Sequence, residues 1–175
     1  MCSNTKKKIA QALRRLMEDR AFERITVQNL MDMTQMKRQS FYYHFQDTRD
    51  VLMWICRREV LEPLMASELE FEDWMILALE LVSRDRNFYR KLLKAVSFEF
   101  LREFDAILEP RMLAMLFPGR TTAQLSDNQR FALDFFTEAV CVRLIRLVND
   151  RDPLEPGDIR ARVEYLMRAF ANVNL

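Results

Sequence analysis

Residues 25–52 read ITVQNLMDMTQMKRQSFYYHFQDTRDVL, and their spacing decides the fold. Thr26 is a suitable N-cap, and Val27, Leu30 and Met31 follow at helical intervals. The pattern breaks at Thr34 and Gln35 and resumes with Met36, Phe41, Tyr42 and Phe45. Two short helices joined by a tight turn are therefore expected, a helix-turn-helix. The second would turn Phe41 and Phe45 inward and present Lys37, Arg38, Gln39, Ser40, Tyr43 and His44 outward. Those side chains reach phosphates or base edges, as a major groove requires.

Working outward, Ser3 or Asn4 is expected to cap a first helix with Ile9, Leu13, Leu16 and Met17 on one face. Lys6, Lys7 and Lys8 fall in its first turn, where the helix dipole disfavours positive charge and a nearby phosphate would relieve it. Each read singly is more simply a solvated lysine. After Phe45, Asp47 caps a helix through Val51, Leu52, Ile55 and Leu61 that Pro63 ends or bends.

At these residues the chain resembles the TetR family of bacterial transcriptional regulators. The likeness rests on Thr5, Ile9 and Leu13, on Phe22 before Ile25-Thr26-Val27, on Leu30, and on the block from Ser40 to Phe45 with Asp47 and Leu52. The run from Arg38 to Asp47 is most similar to the subgroup that activates dihydroxyacetone kinase operons. The resemblance implies a DNA-reading head over residues 1–47 and a helical body for effector binding and dimerisation over 48–175. It implies DNA contact through Gln28, Arg38, Gln39, Ser40, Tyr42, Tyr43 and His44. Side-chain chemistry pairs Arg38 with guanine, Gln39 with adenine and Ser40 with either base or phosphate. Thr26, Tyr42, Tyr43, His44 and Thr48 suit the backbone instead.

Three positions depart from the family pattern. Ala21 and Gln35 stand where glycine is usual, and a left-handed Gln35 would cost on the order of 1 kcal/mol, tolerable if Leu30, Met36 and Phe41 hold the turn by packing. Thr48 stands where a phosphate-binding lysine is common, so the positive charge would come from Arg49.

The remainder supports an all-α class. Among 175 residues, half are hydrophobic and only two, Gly119 and Gly157, are glycine, few for a sheet protein with frequent turns. The formal net charge is +1, but it is divided unevenly. Residues 1–62 carry 12 Lys and Arg against 8 Asp and Glu, a balance of +4, and the rest carry 15 against 18, a balance of −3. The positive excess accompanies the helix-turn-helix. Cys2, Cys56 and Cys141 are too scattered for a disulfide framework or a metal knuckle, and the N-terminus has no secretory apolar run. A reducing cytoplasm is expected, with no membrane span.

The body divides into helices from Glu72 to about Arg84, from an Asn87 cap through Val96, and from Phe98 to Phe117, the last split or kinked at Pro110. A loop over 120–127 and a Ser126 or Asp127 cap precede a helix from Asn128 to Asn149. The turn 151–157 leads to a final helix from Asp158 to Asn172. These last two are apolar on most sides, which implies a dimer interface that includes Phe135, Val142, Ile145, Ile159, Val163, Leu166 and Phe170. The alternative is burial within one subunit. Trp74, Phe88, Phe98, Phe100 and Phe104 are the candidates to line an effector cavity, and equally suit a plain core. Glu99, Glu103 and Asp105 read as a solvated face.

No enzyme is expected, because His44 is the only histidine and no glycine-rich phosphate loop occurs. A zinc sensor lacks ligands, so no metal and no cofactor are expected. The leading expectation is a homodimer bound to an inverted repeat in double-stranded DNA, a repressor released by a small apolar effector. Second is an activator controlled by a protein coactivator docked on the body. Third is a helical interaction protein without DNA binding.

Overall fold

The computed structural model describes residues 2–150 and 156–170, with side chains over 4–150 and 157–169. Every regular element among them is helical. Helix α1 (Cys2–Asp19) begins ahead of the Ser3 or Asn4 expected to cap it. A 3-10 turn (Phe22–Arg24) leads to α2 (Val27–Thr34) and α3 (Arg38–His44). Ala21 is extended at φ −68°, so the missing glycine there carries no strain.

Local capping explains the head. The Thr26 hydroxyl accepts from the Asn29 N–H at 3.2 Å, while Asn29 Oδ1 accepts from the Thr26 N–H at 3.0 Å, a reciprocal cap. Helix α2 ends at Gln35, which is left-handed at φ 55° and ψ 32°, so the turn keeps the conformation that glycine usually supplies. The N–H groups of Gln35 and Met36 both donate to the Met31 carbonyl, which closes the turn. Asp47 then caps α4 (Thr48–Cys56) by accepting from the Asp50 N–H at 2.8 Å.

Helix α4 runs into a π-helical turn (Arg57–Leu61) and on through α5 (Glu62–Met65), with right-handed dihedrals at each junction. Pro63 lies just past the wide turn. A proline ring collides with the carbonyl four residues earlier in a regular helix, and the extra residue in the π turn relaxes that contact. Pro63 thus widens the helix instead of ending it.

Helices α6 (Phe71–Ser83), α7 (Arg86–Leu116), α8 (Asp127–Asn149) and α9 (Pro156–Phe170) form the body. Helix α7 spans both segments expected from the sequence, and the non-helical residue inside it is Val96, φ −131° and ψ 32°. Pro110 is accommodated within the helix. It is exposed, as is Ala106, so the carbonyl that loses its partner faces water. The cap of α7 is Asp85, whose carboxylate accepts from the Phe88 N–H at 3.3 Å, and not Asn87. Ser126 caps α8 as expected. The turn residues 151–155 and the end of the expected last helix, 171–172, lie outside the described residues.

Helix α8 folds back along α7, and α9 packs on α6. One continuous apolar cluster runs from Ile9 in α1 to Val163 in α9, so head and body share a core. No described helix is long and apolar enough to cross a membrane.

Candidate nucleic-acid interface

Helix α3 is oriented by its aromatic residues. Phe41 is fully buried and Phe45 nearly so, with ring centroids 5.9 Å apart. Phe45 also meets Trp54 edge-on at 6.2 Å and lies beneath the Lys6 ammonium at 5.3 Å. With those rings inward, Lys37, Arg38, Gln39, Tyr42 and Tyr43 are exposed and Ser40 and His44 half-buried. Tyr43, 79 % exposed, is the most projecting of its large neighbours and meets the His44 ring edge-on at 4.9 Å.

Several of these groups are already engaged. Arg38 Nη2 donates to the Tyr42 hydroxyl at 3.3 Å, with its guanidinium 5.8 Å from the ring centroid. Gln28, exposed on α2, donates to Asp32 at 2.7 Å. The Thr26 hydroxyl is occupied by its cap, which leaves Thr26 less free to donate to a phosphate than the sequence implies. Thr48 opens α4 half-buried. Arg49 beside it donates through Nη2 to Glu99 Oε1 at 2.8 Å.

That last contact corrects one reading of the sequence. Glu99 and Glu103 are not a free solvated face: Glu99 binds Arg49, and Glu103 takes two bonds from Arg57. The Arg49 hydrogen bond holds the Glu99 carboxyl below its ordinary range. Asp105, the third of the set, has its carboxyl pushed up by partial burial and by Glu109, Glu138 and Asp134. No short-range pattern announces pairs separated by 50 and 46 positions.

A second set of polar contacts ties α1 to the body. Arg14 stacks 3.8 Å from the Phe88 centroid and bridges Glu59 and Asp85. The Tyr89 hydroxyl donates to Glu59 at 2.8 Å, and burial pushes that phenol up. Lys91 donates to the Glu18 carbonyl at 3.0 Å, placing a cation at the C-terminal end of α1.

In the body, the five aromatic residues expected around an effector are not brought together. Trp74, Phe100 and Phe104 are buried in a stacked series, with centroids 5.8 Å apart for Trp74 and Phe104 and 5.6 Å for Phe100 and Phe104. The Trp74 indole N–H donates to the Leu64 carbonyl at 3.0 Å. Phe88 is buried beneath Arg14, and Phe98 is 74 % exposed on α7. An apolar groove of about 450 Å³ opens elsewhere, between α6, α8 and α9. Met75 and Leu79 form its floor, Phe136, Val140 and Leu144 one wall, and Ile159, Val163 and Leu166 the other. Its position depends on which helices pack, which the sequence pattern does not disclose.

Of the residues expected at a dimer interface, Ile159 and Val163 are buried within this chain. Phe135, Val142 and Leu166 remain 58, 45 and 40 % exposed, Ile145 is half-buried, and the Phe170 side chain lies outside the described residues. Phe131 stacks on Phe135 at 6.4 Å on the same outward face.

The arrangement of three head helices, a connecting helix and a helical body recurs in known proteins. The crystal structure of a TetR transcriptional regulator from Streptococcus agalactiae 2603V superposes with a TM-score of 0.68 at 20 % identity, covering 95 % of this chain and 94 % of that one. This is the TetR-family fold. A second TetR-type neighbour, the dihydroxyacetone kinase operon activator DhaS, gives 0.67 at 22 % identity over 94 % of each chain. The TetR family repressor AlkX from Dietzia sp. strain DQ12-45-1b gives 0.54 at 14 % identity, over 97 % of this chain and 99 % of that one. In sequence, the HTH-type dhaKLM operon transcriptional activator DhaS of Lactococcus lactis subsp. lactis strain IL1403 is 29 % identical over 111 residues. That match covers 60 % of this chain and 59 % of the relative. No family model matches. These TetR-type relatives are described as transcription regulators, none as an enzyme.

Proposed function

We propose that the protein is a transcription regulator that reads double-stranded DNA as a homodimer. The observation that carries this reading is the α3 surface: Lys37, Arg38, Gln39 and Tyr43 project from a helix whose opposite side is fixed in the core by Phe41 and Phe45. Arg38 and Gln39 have the donors and acceptors for guanine and adenine edges, and Lys37, Ser40, Tyr42, Tyr43, His44 and Thr48 suit phosphates. The uncovered face of α8 and α9, with Phe135, Val142, Leu166 and the groove mouth, is the surface for a second copy. Two such heads would enter successive major grooves roughly 34–36 Å apart, so the operator is an inverted repeat.

The body and the named relative bear on the direction of regulation. Three of the aromatic residues that suggested an effector cavity, Trp74, Phe100 and Phe104, are packed on each other, and the apolar groove of about 450 Å³ opens instead on the face given to the second copy. The relative aligned in sequence is named as an operon activator. Both observations favour an activator governed by a protein coactivator bound to the body.

Selection of genomic fragments with purified protein, at two salt concentrations, tests the reading. Recovery of an inverted repeat that is lost steeply as salt rises supports it. Transcription from the recovered promoter then gives the sign. No enrichment at either concentration overturns the DNA-binding assignment.

A further inference from the structure

The Arg49–Glu99 pair carries a consequence for affinity, and it rests on the DNA-binding reading above. Arg49 stands two residues past Asp47, the cap of α4, on the helix that follows the recognition helix. Its guanidinium is directed to the body, where Nη2 meets Glu99 Oε1 on α7 at 2.8 Å. We propose that Glu99 is a positioning residue that holds Arg49 against the body, and that DNA phosphate competes with Glu99 for the same guanidinium.

Three observations support this exchange. The Arg49 and Glu99 side chains are 49 and 33 % exposed, and a single bond joins them. Water reaches such a pair, and exposed pairs of this kind hold weakly. Two turns further on, at the start of the π turn that continues α4, Arg57 takes Glu103 with two bonds, a stronger and more directional contact. The loose pair therefore lies nearer the recognition helix, and the tight one anchors α4 to the body.

The break in α7 at Val96 sets Glu99 apart mechanically. Asp85, Phe88, Tyr89 and Lys91, which grip Arg14, Glu59 and the end of α1, precede the break. Glu99 and Glu103 follow it, one helical turn apart.

The test is a double-mutant cycle on the full chain, with binding measured to the selected operator and to unrelated duplex across a range of salt. Glu99→Gln is expected to tighten binding about threefold, the scale of an exposed ion pair. The gain falls equally on both duplexes, because phosphate carries no sequence. Arg49→Ala is expected to weaken both and to lower the salt slope by about one unit, as loss of one phosphate contact requires. In the Arg49→Ala background, Glu99→Gln should change nothing. Equal tightening by Glu99→Gln in both backgrounds means general charge repulsion and overturns the proposal, as does no tightening in the wild-type background. Failure of the unaltered protein to bind any duplex overturns the DNA-binding reading and this inference together.

Discussion

Arg57 holds Glu103 through both Nε, at 2.8 Å, and Nη2, at 2.6 Å, one oxygen each, from the first residue of the π turn. Replacing it by lysine keeps the charge but removes the planar fork. With side chains 44 and 25 % exposed, solvent screening limits the loss to about 0.5–1 kcal/mol. Arg57→Lys should therefore lower the urea midpoint slightly. An unchanged midpoint at unchanged denaturant slope would mean that the fork serves no stabilising role.

Gln35 tests the turn. Among the described residues it is the only non-glycine with positive φ. Gln35→Gly removes about 1 kcal/mol of left-handed strain and loses part of that to chain entropy, for a net gain near ~0.5 kcal/mol. Gln35→Val forces a β-branched residue into the same conformation and should destabilise by more than 1 kcal/mol on the same scale. Equilibrium unfolding of both variants checks the opposite signs.

Base reading is testable at Arg38. Its contact with the Tyr42 hydroxyl and ring limits the orientations of the guanidinium before DNA arrives. Arg38→Ala should cost about 1–3 kcal/mol at one operator position and relax specificity there. Equal loss on all sequences would reassign Arg38 to phosphate. Tyr42→Phe keeps the ring and removes a hydroxyl suited to phosphate, so its smaller loss should fall equally on all sequences.

The proposed dimer surface predicts a change in mass. Phe135→Glu with Leu166→Glu places charge on two half-exposed positions of α8 and α9. Sedimentation should then give a monomer with unchanged helical circular dichroism and much weaker operator binding. A dimer that persists would place the interface elsewhere.

Asp105 gives a pH dependence of defined sign. Partial burial, then Glu109, Glu138 and Asp134, raises its carboxyl pKa in the folded chain. As pH rises from about 4, the unfolded chain gives up this proton first, so the group's ionisation erodes stability until the folded chain ionises too. Asp105→Asn should thus stabilise the protein near neutral pH by less than about 1 kcal/mol, given the exposure of the site. The advantage should fade as pH falls toward 4. Melting curves at pH 4 and 7 read it directly.

What the sequence disclosed follows the range of the interactions. Thr26, Asp47 and Ser126 cap helices by bonds to backbone three residues away, and those boundaries were legible. Phe41 and Phe45 were legible as inward by period alone. Asp85 was missed because Asn87, an equally suitable cap, stands two positions on. Pro110 suggested a break that its exposed position makes unnecessary, while the break falls at Val96, where neither proline nor glycine marks it. The Arg49–Glu99 pair and the groove over Met75 and Leu79 bring together residues far apart in the chain, with no local period to reveal them.

The two tryptophans are placed to report on different parts of the molecule. Trp74 lies fully buried between Phe71 and Phe104, its N–H bonded to a carbonyl, so its emission should be blue-shifted. Trp54 is half-buried against Phe45, at the joint with α3, and should emit further to the red. Each indole can be removed by substitution with phenylalanine, so the native chain carries its own pair of optical probes. Whether the head loosens before the body melts can be followed by colour, with no label attached.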